Sequence, residues 1–557
     1  MPHEAQPPDG LELLELRVLD GPNRFFTRPA VKLEFGAHEP GPADAAAAAA
    51  GDAVRRLHAG LDLRPPRLAV RRSTDGRRAV VAYPWRRRAI GQAIGAAAGR
   101  IALGTSTERR ELRALRAVAH GPLPSLPAVR VPIVAVTGTN GKSTTTRLIA
   151  HVLAGAGRRV GMTNSDGIYV DGTLVEAGDW TGFGGAARVL AEPGLQAAVL
   201  ETARGGILLR GIGYAANDVA VVTNVSADHL GLQGIDTVEE LADVKAAIVR
   251  ITRRGGWAVL NAEDPLVWAM RRETNAGWYA FSLDSRAPAV AEALAHGGRA
   301  AVLDDGWLAV LGAGRRRTRL ARADELPVAF AGLSRHNVAN ALAAAAACDG
   351  LGLQPAEIAA GLRSFALDSD ANPGRLNLYE RRGRLVIVDF AHNEAGLTGL
   401  LDVCRALVSA SGGRRRGRIR LALGTAGDRT DAILRGLGEL AGQGADDVVI
   451  CEKRHYLRGR DLDAMNAILR DGVAAGGHRG TIEAYPTELA ALQALVARSR
   501  AGDVAAVMTH VERREIAEWL AEQRYAAVGV ERLRALLTGA RGASADPRAP
   551  RPAEAPG

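Results

Sequence analysis

Apolar and polar positions change their period several times along the chain, and each change marks an element. From Leu11 to Gly36, LELLELRVLDGPNRFFTRPAVKLEFG, the two classes alternate on both sides of Gly21-Pro22-Asn23, which predicts two strands around a turn. An Ala-rich stretch to about Gly60 predicts a helix, and Leu68–Tyr83 returns to strand chemistry around Asp75-Gly76. Together these predict a small α+β domain over residues 1–120, followed by the proline-rich linker Gly121–Pro127.

Beyond Val131 the alternation gives way to short, wholly apolar runs separated by helical stretches: Ile133–Val136, Ala197–Leu200, Val219–Thr223 and Ala258–Leu260. Such runs belong to parallel strands covered on both faces. The expected fold class is therefore α/β, with a P-loop-type parallel-sheet central domain over residues 128–370, its strand–helix–strand pattern running to about Leu260. Pro373-Gly374-Arg375 breaks that pattern. A second, Rossmann-like α/β domain is expected over residues 371–538, with strands near Leu385–Val388, Ile419–Leu423, Val448–Cys451 and Val504–Met508, and a disordered tail over residues 539–557.

Ligands of such sheets gather outside the carboxyl ends of the strands, so strand-end residues are the candidates for chemistry. Ile133–Arg147, IVAVTGTNGKSTTTR, joins a strand to a helix through a glycine turn, Gly138-Thr139-Asn140-Gly141. Backbone N–H groups and the positive end of the helix dipole converge there on one point, which suits a triphosphate. Lys142 is placed for the terminal phosphates, and the hydroxyls of Ser143 and Thr144 open the helix, Ser143 within reach of a Mg²⁺ shell. The strict GxxxxGK[ST] pattern is not met, because Val136 stands where its first glycine would be. Glu201 ends the second run and either holds a cation shared with Ser143 or is a strand-end carboxylate that caps a turn or pairs with Arg204. His229 is a metal ligand or a helix-start histidine. Asn337 and Asn340 share a helix face, able to meet a purine edge or to cap the helix. Asp389, His392 and Asn393 follow a strand of the second α/β domain.

Composition narrows the choices. No apolar run approaches the roughly 20 residues that cross a bilayer, and the start has neither a basic n-region nor an apolar h-region. Cys348, Cys404 and Cys451 are too widely spaced for a metal site or disulfide framework, so a cytoplasmic protein without a membrane partner is expected. A net charge of +10 invites a nucleic-acid partner. Its basic runs, Arg86–Arg88, Arg315–Arg317 and Arg414–Arg416, are short, scattered and free of interleaved aromatics, which argues for solvated surface instead. More telling, only four of 71 cationic residues are lysine: Lys32, Lys142, Lys245 and Lys453. A lysine kept in such a chain marks a place where a guanidinium fails, because it is bulky and cannot lose its proton. That raises Lys245, in the helical VEELADVKAAIV, to a site candidate.

The stretches TGTNGKSTTTRLIAHVL, MTNSDGIYVDG, ETARGGILLRG, VVTNVSADHLGLQGIDTVEELADVK, VLNAEDPLV, RHNVANALAA, FALDSDANPGRLNLY and VDFAHNEAG, in this order, resemble the Mur ligase superfamily of muramyl-peptide ligases and folylpolyglutamate synthetases. Within it they are most similar to the Mur-like half of the cyanophycin synthetases. The likeness runs over about residues 131–400, GDRTD and LRGR extend it, and LRVLDGPNRFFTRPAVKLE is similar to the N-terminal domain of cyanophycin synthetases. It implies an ATP-dependent ligase that joins a carboxylate acceptor to an amino acid through an acyl phosphate. It further implies ATP gripped by Thr139, Asn140, Gly141 and Lys142, and two Mg²⁺ ions held by Ser143, Glu201 and His229, with Lys245 where the superfamily carries a carbamylated lysine. Asn337 and Asn340 would meet adenine, Arg375 and Asp389 the phosphates or ribose, and Arg204, His392 and Asn393 the substrates. Assembly into a homo-oligomer is a further implication.

The resemblance has three departures. The ATP-grasp domain that cyanophycin synthetases place before their Mur-like part is replaced by the linker, so one ligation at most is expected, with a degenerate ATP-binding partner or regulator of a separate ligase as the alternative. Glu394 stands where the family has proline after HN. Lys453 and His455 stand where acidic residues are expected, which points to a different amino-acid specificity.

Overall fold

The structure, a computed structural model, describes residues 10–227, 230–312, 315–369, 371–410 and 416–543. The alternating start forms β1 (Glu12–Leu19), β2 (Ala30–Gly36), β3 (Ala69–Arg72) and β4 (Arg78–Pro84), an antiparallel sheet in the order β1-β2-β4-β3. The Ala-rich stretch is the helix Pro42–Gly60. Beside it lies the helix Arg88–Ala102, whose Gly91, Gly95 and Gly99 fall four apart on one face. A Cβ at these positions would stand 2.7 Å from Trp85 Cβ, 2.9 Å from Val31 Cγ1 and 3.0 Å from Leu13 Cδ2. Glycine lets this helix settle directly on its sheet.

The turn expected at Gly21-Pro22-Asn23 is instead a longer loop, residues 20–29. Asn23 knots it: its Oδ1 accepts from the N–H groups of Phe25 (2.9 Å) and Phe26 (3.1 Å), and its Nδ2 donates to the carbonyls of Gly21 and Arg28, both at 3.0 Å. The loop lies against the chain after the helix Arg204–Leu209. Asp20 N–H donates to the Arg210 carbonyl (2.8 Å), and Ile212 N–H donates to the Pro22 carbonyl (2.6 Å).

The four apolar runs expected after Val131 are all strands: β5 (Ile133–Thr137), β9 (Ala197–Glu201), β10 (Asn217–Val222) and β11 (Thr252–Asn261). With β6 (Val160–Thr163), β7 (Gly167–Val170), β8 (Thr173–Ala177), β12 (Gly277–Ser282), β13 (Arg299–Asp304), β14 (Trp307–Gly312) and β15 (Arg315–Arg322) they form an 11-stranded sheet, ordered β15-β14-β13-β12-β11-β10-β5-β9-β6-β7-β8. Its middle is parallel from β13 to β6. Every residue of β5 and β9 is buried, as strands covered on both faces require. The sheet thus continues well past Leu260, where the predicted pattern ended.

The second α/β region carries β16 (Asn377–Arg381), β17 (Arg384–Asp389), β18 (Ile419–Leu423), β19 (Asp447–Cys451), β20 (Ala484–Tyr485), β21 (Val504–Met508) and β22 (Ala526–Ala527), ordered β20-β19-β18-β21-β17-β16-β22. Strands β20 to β17 of that order are parallel. A helix, Val530–Ala543, runs past the boundary expected for the tail, because VERLRALL places apolar residues at helical spacing. The rest of the expected tail lies outside the described residues. The chain divides into two compact units, Met1–Asp304 with Ala309–Leu320 and Leu342–Gly361, and Asp305–Leu308 with Ala321–Ala341 and Leu362–Gly557.

A methyl group at Gly21 would stand 1.9 Å from the Ile212 carbonyl oxygen. Gly21→Ala is therefore expected to destabilise the protein by about 2 kcal/mol, seen as a lowered midpoint in urea denaturation.

Candidate functional site

The glycine turn after β5 is clamped by side chains and backbone of the residues that follow β10. Asn140 N–H donates to Asn224 Oδ1 (2.9 Å), Asn224 Nδ2 donates to the Asn140 carbonyl (3.0 Å), and the Thr223 hydroxyl donates to the same carbonyl (2.6 Å). Thr139 N–H donates to the Asn224 carbonyl (2.8 Å), while its hydroxyl accepts from Ser226 N–H (3.1 Å). Gly138 has φ +151°, and a Cβ there would stand 1.9 Å from the Thr223 hydroxyl oxygen. Gly141, with φ 83°, precedes the helix Lys142–Gly155. The loop is thus fixed to the residues after β10, and the helix starts directly from it. A helix start leaves its first N–H groups without intrahelical acceptors, which is what a phosphate needs.

Three candidate side chains meet this loop or its rim. Lys142 Nζ donates to the Thr139 carbonyl (2.8 Å). Ser143, buried, has its Oγ 3.4 Å from Ser165 Oγ. Lys245, 3% exposed, closes the helix Val238–Lys245, and its Nζ donates to the Gly138 carbonyl (2.7 Å). That helix begins with a capping box legible in the sequence: Thr237 Oγ1 accepts from Glu240 N–H (3.2 Å), and Glu240 Oε2 accepts from Thr237 N–H (3.3 Å). Glu201, 3% exposed, ends β9 in register with Val136 of β5. Thr137 Oγ1 donates to the neighbouring Thr202 carbonyl (2.7 Å), tying the two strand ends together. Arg204 opens the next helix and donates to the Leu232 carbonyl. His229 lies outside the described residues.

The donor chemistry fits a hard cation. A hydroxyl and a carboxylate beside a phosphate cradle suit Mg²⁺, which takes few protein oxygens and completes its shell with phosphates and water. No cage of three or more His, Cys, Asp or Glu residues gathers among the described residues. The cysteines offer no nucleophile: all three are buried, and burial pushes the Cys451 thiol up to about 11.

The remaining candidates lie in the second unit. Asn337 and Asn340 are buried, with Asn340 Nδ2 donating to Asn337 Oδ1 (3.0 Å), so the pair presents one joined amide face. Asp389, at the end of β17, accepts from Leu376 N–H (2.8 Å) and Ala391 N–H (2.8 Å). Burial raises its carboxyl above the usual range, opposed by the charges of His336 and Arg375. The Arg375 guanidinium lies 3.9 Å from the centre of the Phe390 ring. His392 Nδ1 lies 3.1 Å from the Phe390 carbonyl, and Asn393 Oδ1 accepts from Gly396 N–H (3.0 Å).

Lys453, which stands where an acidic residue is expected, enters a buried ion pair. Its Nζ is buried, ion-paired with Glu488, and donates to the Met508 carbonyl (2.7 Å). Glu488 also accepts from the Thr509 hydroxyl (2.6 Å) and from the N–H groups of His510 (2.8 Å) and Glu512 (3.0 Å). The pair therefore fastens the segment after β21.

The profile of the Mur ligase middle domain matches residues 136–348, and that of the Mur ligase glutamate ligase domain matches residues 374–510. The chain is 40% identical over 346 residues to the cyanophycin synthetase of Geminocystis herdmanii, covering 62% of this chain and 38% of that protein. It is 28% identical over 386 residues to the UDP-N-acetylmuramoyl-L-alanyl-D-glutamate–2,6-diaminopimelate ligase of Corynebacterium efficiens, covering 67% of this chain and 66% of that one. The chain thus spans about two fifths of the length of the cyanophycin synthetases it matches. In fold it is similar to E. coli FolC in complex with DHPP and ADP, with TM-score 0.52 and 20% identity over 72% of this chain and 90% of that one.

Desolvation works against the Glu488 carboxylate, but Lys453, Thr509 and the backbone N–H of His510 outweigh it and hold its pKa below the ordinary 4.5. Stability drawn from a depressed carboxyl is present above that ordinary value and lost as pH falls through the lower folded one. Glu488→Gln should cost the second unit about 3 kcal/mol near neutral pH by leaving Lys453 buried without its counter-charge. The gap to the unmodified protein should shrink on acidification below pH 4.5, as followed by near-UV circular dichroism during urea unfolding.

Proposed function

The chain belongs to the Mur ligase family, and from that premise we propose that it is an ATP-dependent ligase joining a substrate carboxylate to an amino acid amine. The observation that carries the reading is Lys245, a rare lysine, buried with its ammonium on the phosphate-loop carbonyl of Gly138. A carboxylate oxygen attacks the γ-phosphorus of ATP, the bond to ADP breaks, and an acyl phosphate forms. The amine then attacks the acyl carbon, phosphate leaves with the bonding pair, and the amine gives up a proton.

The residues divide this work by chemistry. The N–H groups of Gly138–Thr144 and the ammonium of Lys142 orient the triphosphate and stabilise charge on its terminal oxygens. Ser143, Glu201 and His229 would hold Mg²⁺, which neutralises phosphate charge when bound. A second ion would call on Lys245. Carbon dioxide adds to a neutral lysine amine to give an anionic carbamate, a step no guanidinium allows. Arg204 orients the acceptor carboxylate. In the second unit, Asn337 and Asn340 read adenine, Arg375 and Asp389 serve the phosphates or ribose, and His392 and Asn393 contact the incoming substrates. The protein is taken to act in the cytoplasm, without nucleic acid, and to assemble from copies of itself.

The test is ADP release from ATP and Mg²⁺, screened over the amino acids against peptide and aspartyl acceptors, with mass spectrometry of the product. Release that depends jointly on one acceptor and one amino acid, with an amide of the summed mass, is expected. Phosphate release indifferent to every amine would contradict it and favour an ATP-binding regulator. Lys245→Arg should lower amide formation at least ~100-fold while thermal unfolding stays near that of the unmodified protein.

A further inference from the structure

We propose that Arg24, in the loop between β1 and β2, is a positioning residue for Lys245. Arg24 belongs to the N-terminal sheet region, yet its side chain is 7% exposed and reaches the helix that ends on Lys245. Its Nε donates to Asp243 Oδ2 (3.2 Å), and its Nη2 lies 4.0 Å from Glu240 Oε1. Asp243 and Glu240 are three apart and share one helix face. Lys245, two residues beyond Asp243, points roughly 200° away around the helix. The same last turn is thus held by Arg24 on one side and meets the Gly138 carbonyl on the other.

Other contacts gather on Asp243, which the Arg24 side chain joins from the N-terminal sheet region. Arg250 donates to the Arg24 carbonyl (3.0 Å) and to the Asp243 carbonyl (3.2 Å), is ion-paired with the Asp243 carboxylate, and has Glu273 at 2.7 Å. Arg71, also from the N-terminal sheet, lies 3.7 Å from Asp243. At the other end of the helix Arg78, on β4, donates to Asp236 (2.6 Å), immediately before the capping Thr237. The loop's backbone pairing with Arg210 and Ile212 fixes it at the same time to the chain following Arg204. The N-terminal sheet region therefore grips the helix of Lys245 at both ends and sets its rotation against the phosphate loop. This inference deepens the ligase reading above and takes from it only the importance of the Lys245 amine.

The scarcity of lysine makes a direct test practicable. In bicarbonate-free buffer the full chain is exposed to an amine-selective acylating reagent, and labelling is followed at each of the four lysines by peptide mass spectrometry. Arg24→Ala is expected to raise the acylation rate of Lys245 about 10-fold through local opening, while Lys453, buried in the second unit, keeps its rate. Arg24→Lys, retaining a cation, should restore most of the protection. A Lys245 rate in Arg24→Ala within about twofold of the unmodified protein, or a rise at Lys453 in equal proportion from general loosening, would overturn the proposal. Bicarbonate dependence of ADP release by the unmodified protein is measured separately. Its absence would remove the carbamate from the ligase reading and leave the footprint result standing.

Discussion

A buried lysine amine resting on a loop carbonyl is the contact around which the candidate site of the first unit is built. Lys245 loses nearly all its hydration, and a buried amine is tolerated only where hydrogen bonds replace the water. The Gly138 carbonyl supplies one replacement at 2.7 Å. Holding that geometry takes several independent constraints. A capping box starts the helix, side chains from the N-terminal sheet pin its outer face, and Asn224 and Thr223 clamp the loop that receives the lysine. Removing any one leaves the amine buried against a partner that can move.

The four lysines acquire a common explanation in this light. Lys32 pairs with Glu15 and Glu34, Lys142 meets the Thr139 carbonyl, Lys245 the Gly138 carbonyl, and Lys453 joins Glu488 and the Met508 carbonyl. Each sets a compact, three-donor head against carboxylate or carbonyl oxygens, a role in which the planar guanidinium is not interchangeable. Scarcity therefore marks fixed polar contacts in general. Two of them, Lys32 and Lys453, hold the fold together, and two sit at the phosphate loop.

Much of the architecture was legible because parallel strands buried on both faces leave unbroken apolar runs. Ile133–Val136, Ala197–Leu200 and their four counterparts after Leu385 are strands where those runs lie. The helix Arg88–Ala102 was hidden by glycine at every fourth position, a spacing that reads as loop until the sheet beneath it is seen. Strands β12 to β14 carry apolar runs, Trp278–Phe281, Ala300–Leu303 and Trp307–Leu311, as long as those read as strands, and only the arginine-rich β15 has none to read. In the first unit, the glycine turn after β5 and the strand-end place of Glu201 follow from the apolar runs, and Lys245 drew notice as a lysine in a lysine-poor chain. The role of Arg24 was not legible, since the contact joins residues 219 apart in the chain and no local pattern announces it.

Phosphoryl transfer to a carboxylate beside the Gly138–Gly141 loop is the step on which the proposed ligase stands. Its most direct measurement follows oxygen. With an acceptor whose carboxylate carries heavy oxygen, turnover to amide should place one labelled oxygen in each released phosphate, because the acyl phosphate is cleaved between carbon and oxygen. Phosphate free of label, formed while ADP accumulates, would mean that water and not the carboxylate attacks ATP, and would contradict the account.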